Sequence, residues 1–438
     1  MLPSSPDSRQ ETHFPGRSPL APYRCFFRTV HAAARSLNPF RVLVTHRNFR
    51  IFWVGQTASL VGTWMQSMAS GWLALELSDS ALLVGLLASI GSLPILIFSL
   101  HAGVLVDRVD KLRLVRLCQT LLLAEAVLLW WFVWSGHITI GWLLALAAAN
   151  GLFSAFEIPA RQALMVELVG RDDLHDAIAL NSSGFNLARI VGPAIGAVVI
   201  ARLGLAWCFA FNALSYLSVL ASLLLVRLPP WRPVRRVGSP LEGIRAGIRY
   251  ILHTPTVRVL MGLVTVYSLL GIPYLTLMPV VARDLLGAGA SGYGVLLACV
   301  GVGGLAGALF LVALGRHLRR GRLLVVSSLA FALCLILFAL SRDEWIARGV
   351  LLVTGFMMIV NSALANGLMQ GLVPDELRGR LLSVYSLVVV GLSQALGAVV
   401  TGAVARAVGA DWAIGGAAVV MLLFAVVTFR RHPEIQAI

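Results

Sequence analysis

The chain has 438 residues, of which 58% are hydrophobic and only 13% are charged, and its formal net charge is +15. In soluble domains about a quarter of the residues are charged, so this composition excludes a water-soluble globular protein and places the chain in a lipid bilayer. The positive charge is explained by basic loops facing an anionic membrane surface, and no compact basic domain indicates a nucleic-acid partner.

Residues 1–47 precede the first apolar segment and are rich in Pro, Ser and Arg. They contain no short apolar core, so we expect no cleaved signal peptide. Five arginines between Tyr23 and Arg47 lie among aromatic residues, which permits an amphipathic helix on the membrane surface. The acid-poor, Arg-rich composition also resembles a mitochondrial transit peptide. The simplest interpretation is a flexible cytoplasmic amino-terminal arm.

Twelve apolar segments follow, each of about the 20 residues that a helix needs to cross the hydrocarbon core. They are Ile51–Leu75, Ala81–Val106, Leu117–Trp134, Ile138–Phe156, Ala177–Ala201, Leu203–Val226, Val259–Ala282, Leu285–Gly315, Leu323–Ser341, Gly349–Pro374, Leu381–Ala405 and Trp412–Phe429. None alternates polar and apolar residues as a barrel strand does. The predicted fold class is therefore an all-α membrane protein with twelve transmembrane helices.

Lysine and arginine are distributed unequally between the two sets of loops. Of the 35 such residues, 29 lie in alternate loops that include both chain ends, five lie in the other loops, and Arg189 lies within a span. Cytoplasmic loops carry the excess of basic residues. We therefore expect a multi-pass protein of the inner (plasma) membrane with both termini in the cytoplasm.

The twelve segments divide into two related halves, residues 48–227 and 258–430. The sequence Leu168–Leu174 after span 4 is repeated by Leu372–Leu377 after span 10. Residues 228–257 form a cytoplasmic linker that opens with prolines, which cannot continue a helix, and then predicts a surface helix. Residues 431–438 are a cytoplasmic tail. Two duplicated six-helix bundles form an architecture suited to alternating access, although a fold alone does not prove transport.

The strongest motif spans residues 103–113, after the second segment. Gly103 permits close helix approach, and Asp107 places a carboxylate at the end of the span, where it can cap a neighbouring helix amino terminus. Arg108 and Lys111 can hold that carboxylate or reach lipid headgroups. The pattern resembles the signature of the major facilitator superfamily, except that Asp110 stands where the signature has glycine.

Further segments resemble the branch of this superfamily that includes enterobactin and macrolide exporters, over about residues 48–430. These segments are Gly62–Gln66, Pro159–Ala163, Asn186–Gly196 and Leu377–Arg380. The resemblance implies two pseudo-symmetric six-helix bundles. It also implies a cytoplasmic conformational latch built from Asp107, Lys111 and Glu157, with Gly103, Arg108 and Arg161 beside them. The alternative is a set of interfacial charges that only orients the protein.

The fifth span carries small residues and one cation. Gly184, Gly192, Pro193 and Gly196 favour close helix packing and a bend, and they resemble the antiporter motif of family exporters; packing alone is the alternative. Arg189 is 12 residues into its span, about 18 Å along the helix and so near mid-bilayer. We interpret it as a cavity residue holding substrate or a counter-charge, or else as a structural arginine bonded to carbonyl groups.

Glu125 is the only carboxylate deep in a span, and a proton-coupled antiporter needs a group that alternates between charged and neutral forms. It is therefore a coupling candidate, although third helices in the superfamily lie on the outside of each bundle, which favours a neutral, hydrogen-bonded carboxyl. The remaining cavity candidates are polar residues on spans 1, 4, 7 and 10. They are Gln56, Gln66, Asn150, Tyr267, Tyr274, Asn361 and Asn366, and each could instead hydrogen-bond between helices.

The expected function is secondary active transport, specifically proton-coupled export of a small amphipathic molecule such as a drug or siderophore. We expect a monomer and no enzyme activity. The only lysine, Lys111, precedes Leu112 and so forms no P-loop, which excludes ATP hydrolysis through such a loop. The five cysteines show no metal or disulfide spacing, and we expect no cofactor or metal. Two alternatives are a flippase for lysophospholipid or another lipid, and an intramembrane enzyme or sensor.

Overall fold

The computed structural model describes residues 40–229, 240–315 and 318–437, and within these ranges it contains helices and no strands. Twelve long helices carry the fold. They are α1 (Arg47–Ser78), α2 (Ala81–Arg108), α3 (Lys111–Trp134), α4 (Ile140–Val169), α5 (Leu174–Leu203), α6 (Ala206–Leu225), α7 (Pro255–Leu285), α8 (Gly289–Leu314), α9 (Arg320–Leu340), α10 (Glu344–Leu372), α11 (Leu377–Val408) and α12 (Ala410–Arg431). Most of the predicted amino-terminal arm lies outside the described residues, as do residues 230–239 of the predicted linker.

Eleven of these helices are long and apolar enough to cross a membrane. The other, α1, has 32 residues but carries more polar side chains, among them Gln56, Ser59 and Gln66, which it buries inside the protein. The predicted class of an all-α membrane protein with twelve long helices is confirmed. A surface helix, Pro240–His253, lies in the linker where the sequence predicted one.

The two groups of six helices repeat the same packing. In the first, α2 packs on α4 and α3 packs on both α4 and α6. In the second, α8 packs on α10 and α9 packs on both α10 and α12. The halves are therefore related bundles, and they meet along two helix pairs, α2 with α11 and α5 with α8, which we call the seam.

Glycines with positive φ set two helix starts later than the sequence predicted. Gly204 (φ +95°) ends α5, so α6 begins at Ala206 rather than Leu203. Gly287 (φ +60°) and Gly289 (φ +65°) separate α7 from α8, so α8 begins at Gly289 rather than Leu285. Side chains with Cβ are disfavoured at such φ, and a left-handed residue ends a helix regardless of how apolar its neighbours are.

Two helices of the second half are not regular. In α7, Tyr267–Gly271 and Val281–Leu285 are π-helical, and in α11 Leu387–Gly397 is π-helical. The first and last of these segments pack against each other. Pro273 lies just after the first segment, where it cannot donate a backbone hydrogen bond. The apolar pattern had predicted uninterrupted helices here, because it carries no information on the turn type.

Candidate functional site

The seam is tightly closed at the end that the arginine distribution assigns to the outer side. There α2 meets α11 where Gly85 lies against Ala398 and Gly402, too close to admit a Cβ atom. The hydroxyl of Ser89 donates a hydrogen bond to the carbonyl oxygen of Ala395 across the same contact. The other pair closes similarly, with Gly294 of α8 against Ala197 of α5.

An ion pair joins the two halves at this outer surface. Asp79, which follows α1 in a left-handed conformation (φ 48°), places Oδ1 2.5 Å from Nη2 of Arg283 in α7. Arg283 also bonds Asp284, with Nε 2.6 Å from Oδ1. The pair borders an outward-facing cavity of about 570 Å³, formed by the ends of α1, α2, α7, α11 and α12. Nearby, Trp72 of α1 stacks on Tyr293 of α8, with ring centroids 6.3 Å apart.

The opposite ends of the helices are less closely packed. Phe98, His101 and Leu105 in the last part of α2 are exposed. Among the described residues, no atom outside its own helix lies within 4 Å of the position that a Cβ on Gly103 would take, and the same holds for Gly371 at the end of α10. Space is therefore left beside the inner ends of α2 and α10, on the side that the charge distribution assigns to the cytoplasm.

The predicted latch residues lie at this open end. The side chain of Asp107 is outside the described part of the structure, and Arg108 is exposed. Lys111 pairs with Glu167 at the end of α4, with Nζ 3.1 Å from Oε1. Glu167 does not stand out in the sequence, because an acid at a helix end is common at a membrane surface.

Glu157, which was predicted to join this relay, is buried and held by two other partners. Its Oε1 accepts hydrogen bonds from Nε2 of Gln119 (3.0 Å) and from Nε of Arg161 (2.8 Å). The structure thus brings Glu157 together with Arg161 and pairs Lys111 with Glu167. Gln119 was not predicted, although a glutamine within an apolar run is a signal of the same kind as Glu125.

Glu125 faces the interior of the first bundle. Its side chain is buried, Asn150 of α4 donates a hydrogen bond to its Oε2 (3.0 Å), and the Gln66 amide of α1 also interacts with it. Gln66 in turn accepts a hydrogen bond from Asn212 of α6 (2.6 Å). A hydrogen-bonded carboxyl is the alternative that the sequence favoured for this residue, and its role in coupling stays a prediction. The packing of α3 against α4 and α6 turns Glu125 inward.

In the second bundle, the places that Gln119 and Glu157 occupy in the first are polar but uncharged. Asn361 of α10 donates to the hydroxyl of Ser328 on α9 (2.6 Å), and the Tyr267 hydroxyl donates to the Ser328 carbonyl oxygen (2.7 Å). Asn366 instead accepts from Gln370 one turn further along α10 (3.0 Å). These predicted cavity residues therefore bond between or along helices of their own half. Gln56 is buried, and its Oε1 has no hydrogen-bond partner among the described residues.

The small residues of α5 pack this helix against its neighbours. Gly184 lies against Thr57, Gly192 against Trp64, and Gly196 against Met65 and Met68, all on α1. The carbonyl oxygen of Pro193 lies beside Gly294 of α8. Close packing is thus one role of these residues, and their relation to antiport stays a prediction.

Arg189 reaches from α5 across the seam. Its Nη2 lies 3.3 Å from the position that a Cβ on Gly304 of α8 would take. Its charge acts on the hydroxyl of Tyr274 in α7, which is buried and has no hydrogen-bond partner within the described ranges. No cluster of three or more His, Cys, Asp or Glu that could hold a metal ion occurs in the described part of the chain.

Comparisons with known proteins agree with this architecture. Residues 34–437 match the profile of a family described as "Transmembrane secretion effector". The chain is similar to the enterobactin exporter EntS of Shigella boydii serotype 4 (28% identity, 90% of this chain and 95% of the relative). It is similarly related to that of Escherichia coli O1:K1 (27% identity, 90% and 95%).

Two solved structures share the fold. One is a bacterial homologue of the human lysosomal transporter Spinster in an inward-facing, unoccupied conformation (TM-score 0.67, 14% identity, 89% of this chain and 96% of that chain). The other is the nucleoside transporter NupG (TM-score 0.62, 12% identity, 89% and 98%). At these identities the likeness shows the fold alone.

Proposed function

The chain belongs to the major facilitator superfamily, in its transmembrane secretion effector family, and is a membrane transporter rather than an enzyme; from this premise we propose that it exports a small amphipathic molecule. In this proposal the protein works as a monomer in the inner membrane, with both termini in the cytoplasm. It alternates between inward-open and outward-open forms, and a proton gradient drives the cycle.

The observation that supports alternating access is the unequal closure of the seam. Glycines allow backbone contact at the outer ends of both helix pairs, while the inner end of α2 has open space beside Gly103. Packed helix surfaces have discrete arrangements rather than a continuous range. In this proposal the described conformation is an inward-open state, and rocking of the two halves would open the outer ends and close the inner ones.

In this proposal the inner charges stabilise the other state. Lys111 is tied to α4 through Glu167, and Arg161 is tied to Glu157 within α4. We assign the latch to Asp107, Lys111 and the acids at the end of α4, which would engage the second half when the inner ends close. The outer pair Asp79–Arg283 would separate at the same time.

We assign proton coupling to Glu125. Its described contacts are with neutral amides, so its charge is not neutralised by a basic side chain in those contacts. Asn150, its partner, lies on α4 two turns before Glu157, and Gln119 on α3 completes a second connection between the same two helices. A change in the charge of Glu125 would therefore act on the helix that also carries Glu157 and Arg161.

Export from proteoliposomes with an imposed pH gradient tests this function. Enterobactin and a macrolide serve as candidate substrates, and a lysophospholipid serves as competitor. We expect flux of a soluble candidate that rises with the pH gradient and is accompanied by counterflow of protons. Flux that is indifferent to the gradient would refute the coupling. Competition by the lysophospholipid alone would favour a lipid flippase.

A further inference from the structure

Arg189 is a cation without a visible counter-charge in the middle of the seam. It has no hydrogen-bond or ion-pair partner among the described residues, and α8, which it approaches at Gly304, contains no charged residue at all. In α7 the first acidic residue is Asp284, close to the outer end. An arginine at this depth is expensive unless it meets water or an anion, so its position indicates a binding role.

Tyr274 supplies a second unpartnered donor from the opposite half. Its side chain is 1% exposed, and its hydroxyl has no hydrogen-bond partner within the described ranges. Phe331 and Phe338 of α9 fix the ring through edge contacts, with centroids 6.4 Å and 6.3 Å from that of Tyr274. A buried hydroxyl left unpaired is destabilising, and in a native protein such a group requires an explanation.

The surroundings of this pair are aromatic on the inner side. Phe185 lies one turn before Arg189 on α5, on the same helix face, and is 40% exposed. Its ring meets that of Trp64 of α1 edge-on at 5.5 Å. A molecule that enters from the open inner end would therefore meet an aromatic surface before it reaches the guanidinium.

We propose that the transported molecule is an aromatic organic anion whose carboxylate or similar group is held between Arg189 of the first half and Tyr274 of the second. This inference rests on the proposed transport function and names its substrate class. Both groups donate hydrogen bonds, and an arginine binds a carboxylate through two parallel bonds. Because the two donors belong to different halves, the bound anion joins the halves and favours the arrangement in which both donors reach it.

The test uses a matched pair of probes, 2-naphthoate and 2-naphthamide, which have nearly the same shape and differ in charge. Binding is measured by calorimetry on the full chain in lipid nanodiscs, with empty nanodiscs subtracted. The wild type is expected to bind the naphthoate at least about tenfold more tightly than the amide. Equal affinity for the two probes, or no binding of either, overturns the proposal.

Four variants test which side chains cause the preference for naphthoate over naphthamide. Arg189→Gln is expected to reduce the ratio of affinities to about one, and Arg189→Lys to keep part of it. Tyr274→Phe is expected to weaken naphthoate binding about fivefold without changing that of the amide. Arg202→Gln, at the outer end of the same helix, is the control and is expected to behave as the wild type. If Arg189→Gln elutes as a misfolded protein, Arg189→Lys and Tyr274→Phe decide the outcome.

Flux of the two probes in proteoliposomes separates this inference from the general function. Equal transport of naphthoate and naphthamide would support a transporter and overturn the anion site. A charge preference in binding that Arg189→Gln removes, without any flux, would uphold the anion site and overturn export of this class of molecule. Retention of the preference in Arg189→Gln overturns the site in either case.

Discussion

The two halves of the molecule share a helix arrangement but differ in what lies inside it. In the first half, α3 and α4 are joined by the carboxylate of Glu125 and the amide of Asn150. In the second, α9 and α10 are joined by Ser328 and Asn361, which are neutral and occupy the places of Gln119 and Glu157. The first half keeps its helices regular, whereas α7 and α11 of the second contain π-helical turns. Duplication thus preserved the helix arrangement. The buried charge lies in the first half, and the irregular backbone lies in the second.

The largest effect is expected from the charge at the inner end of the first half. Asp107→Asn should abolish transport while leaving insertion intact, because loss of a latch charge removes the stabilisation of one of the two states. The measurement is substrate flux at a matched amount of inserted protein. Asp110→Asn is the control, since Asn also serves as the helix cap that Asp110 provides to the backbone N–H of Arg113. Full flux with Asp107→Asn would remove the latch from the mechanism.

The difference between the halves is tested most directly by replacing the buried carboxylate of Glu125 with a neutral amide. Glu125→Gln should abolish flux driven by the pH gradient, since an amide cannot bind and release the coupling proton, while downhill exchange of substrate continues. Ser328→Ala, in the contact between α9 and α10 of the second half, should lower flux by less than about threefold, because it removes one neutral hydrogen bond. Proton counterflow that persists in Glu125→Gln would assign coupling to another group.

The two helix pairs of the seam should respond alike when their contact glycines are substituted. Gly85→Val and Gly294→Val each insert a side chain where the backbones touch, so both should prevent outer closure and lower flux about tenfold. Distances between spin labels at the outer ends of α2 and α11 would show the opening. Gly262→Val is the control, because only Phe424 lies near it, at 4.0 Å. If only one of the two variants lowers flux, the two helix pairs of the seam do not contribute equally to outer closure.

The smallest effect is expected at the outer surface. Asp79→Asn removes the ion pair between the halves, but Asp79 is largely exposed, and exposed pairs contribute about 1 kcal/mol or less. The inward-open population, measured with the same spin labels, should fall about twofold. Arg342 and Asp411 form a similar outer pair within the second half (2.7 Å), so Asp411→Asn should leave this population unchanged. Equal shifts in both variants would mean that surface charge in general, not this pair, sets the balance.

Much of the fold could be predicted because it follows from solvent and charge. Apolar runs specify spanning helices, basic loops specify a side, and the repeat after spans 4 and 10 specifies two halves. Arg189 could be identified from the same principles, since a cation in an apolar run stands out without any structure. Its approach to Gly304 could not, because that depends on how two helices of different halves cross.

Other features needed the tertiary arrangement. Glu125 occupies a helix that is apolar on most sides, so its inward direction is fixed only by the packing of α3 on α4 and α6. Lys111 has acids available at several helix ends, and only the structure selects Glu167. The π-helical turns leave no mark in hydropathy, and Pro273, the one local signal, is equally compatible with a simple kink.

The π-helical turns of α7 and α11 have a geometric consequence. Such a turn accommodates one residue more than an α-helical turn, and one residue corresponds to about 100° of rotation. If one of these π-helical turns became α-helical, the part of the helix beyond it would rotate about the helix axis, while the helix termini stayed in the headgroup layers. Tyr274 lies just beyond the first such turn in α7. A local change in helical winding would thus change the direction of Tyr274, without translation of the whole helix.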